Sequence, residues 1–374
     1  LPYLRKSIPR VQKTEKGSFM DNNLQLNPIQ KFIKAESFSG ILLFFATAVA
    51  FTLSNSLISE EFNAIWNYEI GIKSTDFSLV KPLILWINDG LMAIFFFLIG
   101  LEIKREILIG ELNSLKKASL PVFAALGGMV VPILLFFMLN NNPGTAQGWG
   151  ISMATDIAFT LAILQLLGNK VPLSLKIFLT AFAIIDDLGA VLVIALFYTN
   201  NISWILLIYA GILLAMLYLL SYFRIHNKFI LLFFGFIIWL LFLKSGIHPT
   251  IAGILIAFAV PIRQRINEQL YAEKLTEIIE RITKTSNTNA LPVLTKAQIE
   301  EIDNLEDWTN QVQSPLQQLE HRLHYWVAFL IMPVFAISNA GIRFSGDMVI
   351  DLPLTINIAI SLFVGKAVGV SLFS

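Results

Sequence analysis

From residue 37 to residue 262 the chain is almost continuously apolar, cut into eight runs by short links. The runs fall at 37–54, 83–101, 118–139, 149–167, 173–198, 204–223, 229–243 and 247–262, and two more follow at 325–340 and 354–373. A helix needs about 20 apolar residues to cross a bilayer, and inside it every backbone amide must find a partner within its own segment. The runs lie too close together for a soluble domain to fit between them. Composition agrees, with 56% hydrophobic and 14% charged residues where soluble domains average about 45–50% and about 25%. The expectation is an all-α polytopic membrane protein of about ten spans. A net charge of +1 leaves no electrostatic footprint for nucleic acid. With no cysteine, disulfides, thiol catalysis and zinc–thiolate sites are excluded.

Basic residues orient such a chain, because loops rich in Lys and Arg stay in the cytoplasm. With residue 1 inside, the inner segments hold 21 Lys/Arg and the outer ones 4, which are Lys73, Lys81, Lys244 and Arg343. The N-terminus is therefore expected inside. Residues 1–35 form a basic inner segment, and the first apolar run is read as an uncleaved helix because its polar leader is too long for a signal peptide. The chain opens on Leu, and Met20 is a candidate start.

Residues 36–262 would hold spans one to eight, with an outer hairpin at 55–81, where apolar and polar residues alternate around Gly71–Ser74. Residues 263–322 form a polar inner loop, and 323–374 hold the last two spans. Within the loop, Ile299, Ile302, Leu305, Val312, Leu316, Leu319 and Leu323 recur at helical spacing, predicting a surface helix interrupted at Pro315.

Charges inside the apolar runs carry the chemistry, since each costs about 2.5–3.5 kcal/mol near the bilayer centre. Four acids qualify: Asp89 in WINDGLMAIFF, Asp156 in ISMATDIAFTLAIL, and Asp186 with Asp187 in FAIIDDLGAVLVIALF. For Asp89, next to Gly90 near a helix start, capping is as good a reading as function. Asp186 and Asp187 point about 100° apart on a helix, so they serve different roles. Two close acids in a low dielectric can hold protons or a hard monovalent cation, but not easily both. That exclusion is antiport chemistry. Lys366, in ISLFVGKAVGVSLF, is the base best suited to pair with one of them. Thr155 and Asp156 suit an interrupted helix whose free backbone groups and half-helix dipoles bind ions. Histidine as a residue type titrates near neutral pH, so His321 and His324 beside Glu320, and His248 in KSGIHPTIAG, suit sensing; a polar surface role is the simpler reading of each. In GLEIKREIL, Glu102 and Glu106 share one helix face, beside Lys104 and Arg105.

The stretches WINDGLMAIFFFLIGLEIKRE, ATDIAFTLAIL, KIFLTAFAIIDDLGAVLVIALFYTN, LKSGIHPTIAG, LEHRLH and GKAVGVSLF, in that order, strongly resemble the NhaA-type sodium/proton antiporters from about residue 35 onward. The resemblance implies the fold of that family, with inverted repeats and a broken fourth helix. It implies that Asp187 is the central cation-binding carboxylate, Asp186 its partner ion-paired with Lys366, and Thr155 and Asp156 part of the broken helix beside them. Glu102, Arg105, Glu106, Glu320, His321 and His324 match the family's cytoplasmic pH-response cluster, and His248 a further histidine of that response. The implied function is electrogenic, pH-activated export of sodium or lithium against protons, without a cofactor. The chain would be a homodimer joined through the 55–81 hairpin in the bacterial cytoplasmic membrane. The family has two more helices than these ten runs, the 263–322 loop is longer than usual, and Tyr325 stands where the family often has Pro.

Three other readings compete with transport by exchange. An intramembrane aspartyl protease needs acids facing each other from two helices and a Gly-x-Gly-Asp motif, whereas these acids are adjacent and follow Ile184–Ile185. A sodium-coupled symporter is disfavoured by a lysine opposite a double acid. A non-transporting scaffold is the remaining alternative.

Overall fold

A computed structural model of the chain describes residues 28–74, 78–110, 112–155, 167, 170–197, 202–223, 227–264, 266–285, 295–344 and 350–374. Helices dominate. In chain order they are α1 (Pro28–Ser54), α2 (Ser59–Asn67), α3 (Leu83–Leu108), α4 (Leu115–Leu139), α5 (Leu173–Phe197), α6 (Trp204–Tyr222), α7 (Lys228–Ser245) and α8 (Thr250–Ala259). Then come α9 (Glu268–Thr285), α10 (Lys296–Val312), α11 (Pro315–Trp326, running through a π turn at Val327–Ile331 into Met332–Asn339) and α12 (Leu352–Phe373). A 3₁₀ stretch, Pro143–Met153, follows α4.

Among the described residues, four helices are long and apolar enough to cross a membrane: α3, α4, α6 and α12. Residues 39–54 of α1 make a fifth if counted with α2, which bends away by 115°. The predicted run at 247–262 contains a helix of only ten residues, α8, or about 15 Å at 1.5 Å per residue. Of the predicted 149–167 run, the described part is 3₁₀ up to Met153, irregular at Ala154–Thr155, and helical at residue 167. Asp156 lies outside the described residues.

Small residues let the long helices cross closely, as packing without a hydrophobic drive in lipid requires. On α12, a Cβ at Gly369 would overlap the carbonyl oxygen of Gly127 on α4, and one at Gly365 would come within 2.8 Å of Pro132 Cα. On α8, a Cβ at Gly253 would strike the carbonyl oxygen of Ala93 on α3. Lys104 donates to the carbonyl oxygens of Phe258, at 2.6 Å, and Val260. It places a cation on the negative end of α8.

Outside the bundle, the 55–81 expectation is corrected in part. Its first half is the helix α2; the hairpin follows as β1 (Glu69–Lys73) and β2 (Ser78–Pro82), antiparallel with Glu69 opposite Pro82 and Lys73 opposite Ser78. Gly71, expected in the turn, pairs with Val80 inside the ladder. There a Cβ would overlap the Leu79 carbonyl, so the strands meet at a distance only glycine permits. The 263–322 segment holds more structure than one interrupted helix. α9 and α10 lie side by side, joined by Arg281–Glu301 at 3.2 Å, Tyr271–Thr309 at 2.9 Å and Lys274 stacked over Trp308. α9 escaped the sequence reading. Pro315 does interrupt the pattern, by opening α11: the Ser314 hydroxyl accepts from Gln317 N while the Gln317 side chain accepts from Ser314 N. The apolar pattern divides there too. Ile299 and Ile302 stay exposed, whereas Leu316 is fully buried against Leu101, Ala257 and Val260.

Candidate ion site

The two adjacent acids of α5 face different neighbours, as a 100° turn per residue dictates. Asp186 is buried, its side chain 2% exposed, and its Oδ2 lies 2.7 Å from Lys366 Nζ. Its Oδ1 is buried too and has no hydrogen-bond partner among the described residues. Lys366 Nζ also donates to the carbonyl oxygens of Ala154, at 3.0 Å, and Met153, at 3.3 Å. One ammonium therefore joins α12, the Asp186 carboxylate and the frayed end of the 3₁₀ stretch, where carbonyls have no helical donors.

Asp187 takes the other direction. Its Oδ1 accepts a hydrogen bond from the Thr155 hydroxyl. Both residues line a cavity of about 470 Å³ bounded by α1, α3, α5 and α11. Its wall is mostly apolar, with Phe95, Leu98, Ile184 and Phe335, and its polar groups include Ser39, Thr180, Glu102 and His324. A carboxylate and a hydroxyl at the wall of such a cavity are hard oxygen donors, suited to a proton or a small monovalent cation.

The family model described as Na+/H+ antiporter 1 matches residues 30–374. The chain belongs to this family. Three relatives, each named Na(+)/H(+) antiporter NhaA, show how closely. The protein of Oleidesulfovibrio alaskensis is 46% identical over 349 residues, covering 93% of this chain and 78% of that one. That of Koribacter versatilis is 43% identical over 351 residues, covering 93% and 76%, and that of Parabacteroides distasonis 42% over 364 residues, covering 94% and 80%. Membership of the Na+/H+ antiporter 1 family makes the chain a transporter and not an enzyme, which removes the protease reading.

In this member of the family, α3 and α11 bring the predicted pH-response residues together at one end of the bundle, with one exception. Arg105 Nη2 lies 3.0 Å from Glu106 Oε1, and its Nη1 3.2 Å from Glu320 Oε1. His321 meets the edge of Tyr325, with ring centroids 5.8 Å apart. Burial pushes the Glu320 carboxyl above the usual carboxylate range; Arg105 and His321 pull it down and Glu106 pushes it up. Glu102 and His324 of this group also line the cavity that Asp187 lines.

The exception is His248, which the structure separates from the other six. Its Nδ1 lies 2.9 Å from the Thr250 hydroxyl, and it feels the charges of Asp89 and Lys81. Arg105 and Asp89 stand 16 residues apart on α3, roughly 24 Å along a helix. Of the two readings open for Asp89, capping is the one the structure removes. The residue lies inside α3, in the π turn Ile87–Leu91, and caps no helix end. Its carboxylate instead pairs with Lys81 of β2 at 2.9 Å, while its carbonyl accepts from Trp239 Nε1 at 2.9 Å.

Several polar groups around the centre were missed by the sequence reading. Asn357 and Ser361, both buried, bond to each other at 3.0 Å, and Asn357 donates to the Phe136 carbonyl at 3.1 Å. Asn88 and Asn339 exchange amide hydrogen bonds at 3.0 and 2.8 Å. Polar residues four apart in the apolar run TINIAISLF were the available signal for the first pair; the second, 251 residues apart in sequence, gave none.

Proposed function

We propose that this protein exchanges internal sodium or lithium for external protons, with Asp187 as the carboxylate that holds the cation and the proton in turn. The observation that carries the reading is the division of labour within the acidic pair. Asp186 is neutralised by Lys366, whereas Asp187 faces a cavity with a hydroxyl beside it. Thr155 and the Met153 and Ala154 carbonyls supply further oxygen donors, and Asp156 follows in sequence. The family's printed activity, sodium/proton antiport, supports the same reading.

Protons and sodium then compete for one charge, and release of a further proton from the Asp186–Lys366 pair would make each turnover electrogenic. The membrane potential supplies about 2.3 kcal/mol per charge per 100 mV. Glu102, Arg105, Glu106, Glu320, His321 and His324 set the pH of activation at the cytoplasmic mouth of the cavity, and His248, with Asp89, acts from the opposite end. The 21-to-4 distribution of basic residues supports a cytoplasmic N-terminus in a bacterial inner membrane. The finer architecture belongs to the same reading: about ten spans, inverted repeats, a fourth helix broken after Pro143–Met153, and a dimer joined through the hairpin. The family's printed activity, like Lys366 opposite the acids, tells against a symporter of related fold.

The test is direct. Proteoliposomes carrying this chain and an interior pH-gradient dye should show dequenching on addition of sodium or lithium chloride, with no organic solute present. A response that requires an organic solute would replace exchange with symport.

A further inference from the structure

Four residues of α12 lie four apart along one line: Asn357, Ser361, Gly365 and Gly369. All four are buried against α4 or each other, Asn357 on the Phe136 carbonyl, Gly365 on Pro132 and Gly369 on Gly127. An ideal α-helix cannot keep such a line straight. At 3.6 residues per turn each step of four drifts by about 40°, so three steps drift by about 120°. The helix solves this with the π turn Ser361–Gly365, whose wider i→i+5 winding takes back much of that drift. The π turn ends at Gly365, and Lys366 is the next residue. Its rotation about the helix axis is therefore set by the π turn. Rewinding the turn as plain α-helix would carry the ammonium away from Asp186 and from the Met153 and Ala154 carbonyls.

A π turn is rarely stable on its own account, and here a polar bracket marks its start. Ser361, its first residue, donates to Asn357 Oδ1 at 3.0 Å, and Asn357 Nδ2 donates to the Phe136 carbonyl at 3.1 Å. These side chains are buried in an apolar helix, where an unmatched polar group is costly, so the bonds are strongly held. We infer that Asn357 and Ser361 are positioning residues for ion exchange: they key α12 to α4, hold the π turn, and so aim Lys366 at Asp186. Neither residue titrates in the working pH range, so any change they cause in pH dependence must act through a group that does. The inference rests on the proposed role of the Asp186–Lys366 pair.

The experiment compares Ser361→Ala, Asn357→Ala, Ser361→Thr and Lys366→Ala in reconstituted full chain, reading the apparent sodium KM against pH. Losing the ammonium leaves Asp186 holding its proton more tightly, so Lys366→Ala should move the KM curve towards alkaline pH. Ser361→Ala and Asn357→Ala should move it the same way by at least half as much. Ser361→Thr, which keeps the hydroxyl, should restore it. Adding Ser361→Ala to Lys366→Ala should move the curve no further. If Asn357→Ala fails to fold, Ser361→Ala, which deletes one oxygen, still breaks the bracket. An unmoved curve in Ser361→Ala beside a moved one in Lys366→Ala would overturn the positioning role and leave the proposed exchange intact. An unmoved curve in Lys366→Ala would overturn both.

Discussion

The buried centre and the cluster around Arg105 both set a basic side chain against carboxylates, yet burial makes them different devices. At the centre a single lysine, 19% exposed, meets a carboxylate 2% exposed, and three separate chain segments converge on it. In the cluster, Arg105 is 39% exposed and divides itself between two carboxylates, Glu106 and Glu320. Coulomb interactions strengthen as water is excluded, and so does the penalty for leaving a charge alone. The centre should therefore behave as a switch that works or fails, and the cluster as a graded adjustment of when it works.

Substitutions that test this contrast rank by burial. The largest effect is expected for Asp187→Asn. The amide supplies neither a negative charge nor a proton site, so sodium-dependent dequenching in proteoliposomes should vanish while the protein still inserts. Lys366→Ala comes next. It leaves the Asp186 carboxylate buried without its cation, an imbalance of about 3–5 kcal/mol in comparable sites, read as a lowered melting midpoint in detergent together with an altered pH profile. An unchanged melting curve there would erase the difference between the two regions.

Arg105→Ala should cost less than Lys366→Ala, because the Arg105 side chain is 39% exposed and water screens its pairs. It should shift the pH of activation without abolishing exchange. Glu320 adds a sign. Its raised pKa means that the folded protein favours the neutral acid, so ionising it costs stability as pH climbs from the ordinary carboxylate value through the raised one. Glu320→Gln should therefore gain stability relative to the parent as pH rises over that window, and match it below. The smallest effect belongs to Arg281→Ala, on the exposed face between α9 and α10, which should leave the exchange rate unchanged. A large effect there would make the α9–α10 pair part of the machinery rather than its surroundings.

The sequence made the centre legible where chemistry conflicts with environment. Asp186, Asp187 and Lys366 stand out because charges in apolar runs demand a reason, and the structure brings Lys366 onto Asp186 and Thr155 onto Asp187. From the residues alone GLEIKREIL showed only a shared helix face, because charges beside an apolar run need no special explanation; its pH-response role came with the family resemblance. The π turns at Ile87–Leu91, Val327–Ile331 and Ser361–Gly365 were invisible, since they arise from how neighbouring helices cross and not from local propensity. For the same reason Asp89 resembled a cap: its true partner, Lys81, belongs to a strand eight residues earlier. α9 was missed because its polar, Glu- and Lys-rich sequence reads equally as solvated loop.

The central claim is that one carboxylate serves sodium and protons alternately, and the apparent sodium KM measured across pH on proteoliposomes tests it most directly. Competition requires KM to rise as pH falls, by about tenfold per pH unit for each proton that sodium displaces, and to level off once the carboxylates are ionised. A sodium KM that stays constant from mildly acidic to alkaline pH, with exchange still running, would contradict the account.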